Sequence, residues 1–184
     1  MTAANRKKPG FKVALGGIIT AFALILLLAT GLVPIGTYAL PGLAGALLIA
    51  VVVELGAKWG YGVYAATSLL ALLITPDREA ALMFVFFFGH YPILKALIER
   101  LGKRFLEWVL KSGAFNVCVL VCYGLIFYVF GMQDVMESFG EFGEYSLYIF
   151  WGAGNVAFWL YDITLSSLVT FYLRYLRQKL FSRI

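Results

Sequence analysis

The sequence predicts an all-α, polytopic membrane protein: a six-transmembrane-helix bundle with both termini in the cytosol. Three observations predict it. The chain is 62% hydrophobic and only 14% charged, with a mean hydropathy of +0.88, whereas an ordinary globular domain carries about 25% charged residues. Its apolar residues fall into runs near the ~20 residues a helix needs to cross the hydrocarbon core. With six spans, only Arg78 of the fifteen Lys and Arg residues falls in an outer loop, and such an excess of basic residues on one side sets the orientation. A single transmembrane domain over 1–184 uses the whole length and leaves no room for a soluble catalytic domain.

The first span is expected over 11–33. It is longer than the apolar region of a signal peptide and further spans follow, so it reads as retained. Pro34, Gly36 and Thr37 form a short outer loop. The second span, 38–55, carries Pro41 in its first turn, where a missing N–H costs little. Glu54 and Lys58 lie four apart at its inner end, close enough to pair. The third span, 59–74, ends in the turn Thr75-Pro76-Asp77-Arg78. The fourth covers 79–98. Segment 99–111 is basic and amphipathic, with Leu101, Phe105 and Trp108 on one face, which predicts a helix lying at the inner interface; the alternative is a helical extension of span five. Span five covers 113–131. The loop 132–144 carries Asp134, Glu137, Glu141 and Glu144 and no basic residue. The sixth span, 145–174, exceeds the usual length and predicts tilt or an end projecting into water. No internal repeat is visible, which argues against an inverted-repeat carrier.

Charge and motifs exclude several functions. The net charge of +5 is explained by a basic cytosolic rim facing membrane lipid, so no nucleic-acid partner is expected. Walker A, HExxH and GxSxG motifs and a paired-glutamate metal motif are all missing from the sequence. The chain is therefore read as no enzyme, with no catalytic residue and no cofactor, and as unable to draw on ATP by itself. Cys118 and Cys122 are four apart in an apolar run and stack on one helix face. They read as buried structural thiols, since a metal site would need more ligands.

Ionisable groups inside membrane helices cost about 2.5–3.5 kcal/mol at mid-depth on insertion scales, so they are informative. Asp162 lies about 18 Å from the inner rim, counting back from Arg174. At ~100° per residue, Trp151, Asn155, Trp159, Asp162 and Ser166 share one face of the last helix. Such a polar stripe must face the bundle interior or a wet cavity. Its functional reading is a ligand site, with indoles stacking on a ring while the carboxylate and amide orient it; its structural reading is interhelical hydrogen bonding. His90, the only histidine, falls near the midplane of span four, just before Pro92, which can kink or open the helix. It reads as a substrate contact or a partner of Asp162; a metal site there is not expected. On span one, Ala14, Gly17 and Ala21 form a small-residue face suited to docking against another membrane helix.

The stretches ALGGIITAFALILLLATGLVP and YALPGLAGALLIAVVVELGAKWGYGVYAATSLLALL, together with the basic N-terminus and six spans, resemble the S components of energy-coupling factor (ECF) transporters. The resemblance implies a prokaryotic multi-pass plasma-membrane protein that binds a vitamin-like micronutrient from outside. It also implies association with a transmembrane coupling protein and ATPase subunits. An alanine-xxx-alanine pair in helix one serves docking in that family; the matching positions here are Gly17 and Ala21. The family's pocket lies toward the outer side and draws on helices four to six, a placement compatible with Trp151, Asn155 and His90, with Asp162 at its floor. The expected function is thus capture of a small, ring-containing molecule for import. The alternatives are a membrane scaffold or regulator without cargo, and a stand-alone proton-coupled carrier using His90 and Asp162.

Overall fold

A computed structural model describes residues 8–32, 36–128 and 146–177. The expected acidic loop 132–144 lies outside the described residues. All regular structure among the described residues is helical: α1 (Pro9–Ala29), α2 (Gly36–Leu55), α3 (Ala57–Ile74), α4 (Arg78–Met83), α5 (Tyr91–Ile98), α6 (Arg104–Tyr128) and α7 (Ser146–Phe171). Five stretches are long and apolar enough to cross a membrane: 9–32, 36–55, 78–101, 104–125 and 148–175. The expected third span is the exception to the count of six. α3 has 18 residues, and Lys58, Trp59, Gly60, Tyr61 and Gly62 dilute the apolar character of its first turns.

Local chemistry sets the breaks. Pro9 occupies the first turn of α1, where no N–H partner is needed. α2 starts at Gly36, two residues before the expected start, so Pro41 lies inside the helix rather than in its first turn. Gly56, at φ 87°, takes the left-handed backbone that separates α2 from α3. Asp77 caps α4 by accepting from the Ala80 N–H at 3.0 Å. Helix four is then interrupted: Phe84–Phe88 form a π-helical turn, Gly89 and His90 a short turn, and α5 restarts at Tyr91 with Pro92 in its first turn. The Tyr64 hydroxyl donates to the Val85 carbonyl at 2.6 Å, inside the π turn. Gly102, at φ 65°, ends the fourth span. The next helix already begins at Arg104, so 104–111 continues into α6, and the chain breaks at Gly102 rather than near residue 112.

Two ends of the bundle are defined by contacts. At one, Thr37 donates to Asp77 at 2.8 Å, and Tyr38 and Tyr123 donate to Glu79 at 2.7 and 3.2 Å. This is the Arg78 end. At the other, Lys12 lies 5.8 Å from the Trp59 ring, and Glu54 meets Tyr172 and Arg177 at 3.4 and 3.1 Å.

The core has two main parts. α1, α2 and α3 pack through Ala23, Leu27, Ala44, Leu48, Val51 and Ala71, all fully buried. An aromatic group joins α2, the π turn, α5, α6 and α7: Phe87, Tyr91, Phe115 and Phe158, with Phe115 and Phe158 stacked at 4.7 Å. This second core holds α7 beside α5 and α6, and it sets the level at which their polar residues meet.

Candidate functional site

Asp162 is buried, and its carboxylate is filled by protein groups. One oxygen accepts from Tyr91 at 2.7 Å and from Lys95 at 2.6 Å; the other meets Lys111 at 3.3 Å. Glu99 closes the figure, with one oxygen 2.6 Å from Lys95 and 2.7 Å from Lys111. Two ammonium groups thus sit between two carboxylates, tying α5 and its C-terminal turn to α6 and α7. Lys95 and Lys111 are only 3% and 6% exposed, so neither belongs to a solvated basic rim. The arrangement is a neutral quartet. Neutrality matters here because an unpaired charge in a low-dielectric interior is far costlier than a paired one. A cavity of about 90 Å³ adjoins it, walled by Ile49, Val53, Leu165 and Val169 with Lys95 and Glu99 on its polar side. Sites for drug-sized ligands run to about 300–1,000 Å³, so this void suits a few waters rather than a vitamin.

The other stripe residues of α7 separate into two groups. Toward the Arg78 end, the Trp151 indole N–H donates to the Asn116 side-chain oxygen. Asn116 in turn donates to Asn155 at 3.1 Å, and Asn155 also donates to the Trp151 carbonyl at 3.0 Å. Trp151 remains 49% exposed and both carboxamides are half-buried. Away from that end, Trp159 stacks on Trp108 at 5.7 Å, and the exposed Ser166 hydroxyl turns back to the Asp162 carbonyl at 3.0 Å.

His90 does not meet Asp162. Its Nε2 lies 3.6 Å from the Cys118 sulfur, with the Tyr64 ring 6.0 Å away. The next residue, Tyr91, reaches the carboxylate instead. The small-residue face of α1 is open: Ala14, Gly17 and Ala21 are exposed, and a Cβ on Gly17 would meet nothing within 4 Å.

Sequence reasoning singled out Asp162, Asn155 and Trp151 but missed their partners Lys95, Lys111, Tyr91, Glu99 and Asn116. A signal existed. A carboxylate at mid-helix demands a cation at similar depth, and Tyr91, Lys95 and Glu99 recur every four residues, placing them on one face of α5 and its C-terminal turn.

Comparisons with protein families, with characterised proteins and with solved structures find no match to this chain.

Proposed function

We propose that this chain is the membrane-embedded, substrate-binding subunit of an ATP-driven micronutrient importer, working with separate coupling and ATPase subunits. One observation carries the proposal. Inside a bundle of membrane-length helices, an indole and two carboxamides, Trp151, Asn116 and Asn155, gather on a partly open seam between α6 and α7. A ring-containing ligand stacks on Trp151 and exchanges hydrogen bonds with the two amides. The ligand site then lies toward the Arg78 end, the outer face by the distribution of basic residues. The quartet forms its floor, and Asp162 reaches cargo only when Lys95 or Lys111 releases it. His90, Trp159 and Ser166 are adjoining contacts rather than the centre. Docking to the coupling protein uses the open face Ala14, Gly17 and Ala21, which agrees with the resemblance to ECF S components. The protein lies in a prokaryotic plasma membrane and performs no chemistry of its own.

Native mass spectrometry of gently purified protein tests this. The expected spectrum shows a small molecule retained by the wild type and lost from N155A, while helicity and elution are unchanged. Equal occupancy in both, or ligand-free wild type from cells grown in rich medium, defeats the proposal.

A second reading, a membrane scaffold without cargo, is favoured by the closure of Asp162 by Lys95, Lys111 and Tyr91 and of Trp159 by Trp108. It predicts ligand-free protein under every growth condition. Uptake by the purified chain alone in liposomes, driven by a pH gradient, would instead mark a proton-coupled carrier.

A further inference from the structure

The chain holds one histidine, two cysteines and four methionines. The histidine, both cysteines and one methionine meet on a single seam, between the interrupted fourth helix and α6. Cys118 Sγ lies 3.6 Å from His90 Nε2, and Cys122 Sγ lies 3.8 Å from Met83 Sδ. Cys118 and Cys122 occupy successive turns of α6, so the four donors form two stacked tiers. Cys122 and Met83 are buried; Cys118 and His90 are half-buried. Packing alone asks no more of a buried cysteine than a small apolar body. Here each sulfur faces a second metal-competent donor from the opposite helix, an imidazole nitrogen for Cys118 and a thioether for Cys122.

We infer that this seam binds a soft, thiophilic metal cation of the monovalent-copper type. Donor chemistry selects the class. Thiolate, thioether and imidazole ligands suit Cu(I), whereas Mg²⁺ and Ca²⁺ require oxygen ligands. Among the described residues, no three His, Cys, Asp or Glu side chains gather where they could hold one ion. A closed four-ligand zinc cage is therefore not what the seam offers. A monovalent soft ion is satisfied by two donors. Charge balance points the same way. One Cys118 thiolate neutralises one monovalent cation and the imidazole adds none, so the loaded tier is neutral within the membrane. A divalent ion held by the same pair leaves a net positive charge in a medium that penalises it heavily. Binding displaces the thiol proton to solvent and changes no oxidation state. The inference stands apart from the importer reading, since it requires no cargo and shares with that reading only His90.

The test is a competition between the purified full chain in lipid nanodiscs and the chromogenic Cu(I) chelator bathocuproine disulfonate, under anaerobic conditions. The wild type is expected to retain about one Cu(I) per chain. C118S/C122S should surrender it, and H90Q should weaken retention about tenfold or more. Helicity and elution volume provide the control for folding. Complete transfer of copper from wild type to the chelator overturns the inference, as does wild-type retention by C118S/C122S. Should that double variant not fold, H90Q decides, and undiminished copper retention in it overturns the inference.

Discussion

Lys95 stands at 2.6 Å from both Asp162 and Glu99, which makes it the corner on which the quartet turns. Removing one member of a buried ion pair strands the other, at a cost on the order of 3–5 kcal/mol, while removing opposite charges together is far milder. D162N leaves two buried ammonium groups against one carboxylate and should lower stability by about that amount. K95M/D162N leaves the Lys111–Glu99 pair, 2.7 Å apart, intact and balanced. Its melting temperature in detergent should therefore lie nearer the wild type than that of D162N. A double variant that loses the sum of the two single effects would show that the four charges do not act as a unit. The same residues explain how far the site was legible in the sequence. Asp162 and Asn155 are conspicuous because each places a polar group in an apolar helix. Lys95 and Lys111 are not, because each stands near a basic cluster and is absorbed into the count of a cytosolic rim. Asn116 is hidden for a related reason: its value comes only from Trp151 and Asn155, residues on another helix.

The interruption in helix four packs tightly against α2. Gly45 of α2 lies so close to it that a Cβ there would run into the Phe88 carbonyl oxygen, which is backbone and cannot swing aside. G45A should cost about 1–3 kcal/mol by overpacking. G17A meets open space on α1 and should be neutral or stabilising by about 0.5–1 kcal/mol, through helix propensity alone. Thermal melts of the two variants side by side check both, and equal effects would mean that α2 and the π turn do not approach as described. Among the described residues, helix boundaries were legible where the chain carries punctuation: Pro76 with Asp77 marks a break, and Pro92 a restart. The π turn was not legible. In the run FVFFF every position is apolar, so an added residue in the turn leaves no trace in the periodicity. The extension of α6 back to Arg104 was open in the sequence, because basic amphipathic residues suit both an interfacial helix and the wet end of a span. Gly102, with its left-handed backbone, decides where the break falls.

At the scale of the whole molecule, the question is whether α3 crosses the bilayer. It is absent from the five helices that composition alone qualifies, yet its ends are fixed at opposite ends of the bundle. Trp59, near its start, lies by Lys12, at the end where Glu54 meets Arg177. Asp77, just past its end, accepts from Thr37 at the Arg78 end. Eighteen residues reach about 27 Å, close to the ~30 Å hydrocarbon thickness. The fully buried Ala71 and Thr67 seat it in the bundle; in its first half Gly60 is buried and Tyr64 half-buried, while Tyr61 and Gly62 are exposed. Under the proposed six-span topology the orientation follows from charge: setting aside Lys95 and Lys111 as buried still leaves twelve basic residues (fourteen less two) assigned to one side by sequence against Arg78 alone. Arg78 itself donates to the Leu72 carbonyl at 2.6 Å. Alkaline phosphatase, active only outside the cytoplasm, gives the readout when fused after successive helices. Fusions after residue 56 and at the C-terminus should be inactive, and a fusion after residue 76 active. Equal activity after 56 and after 76 would mean that α3 lies along the membrane. The C-terminus would then fall on the opposite face, and the Asn116–Asn155–Trp151 group would open toward the cytosol instead of the outside.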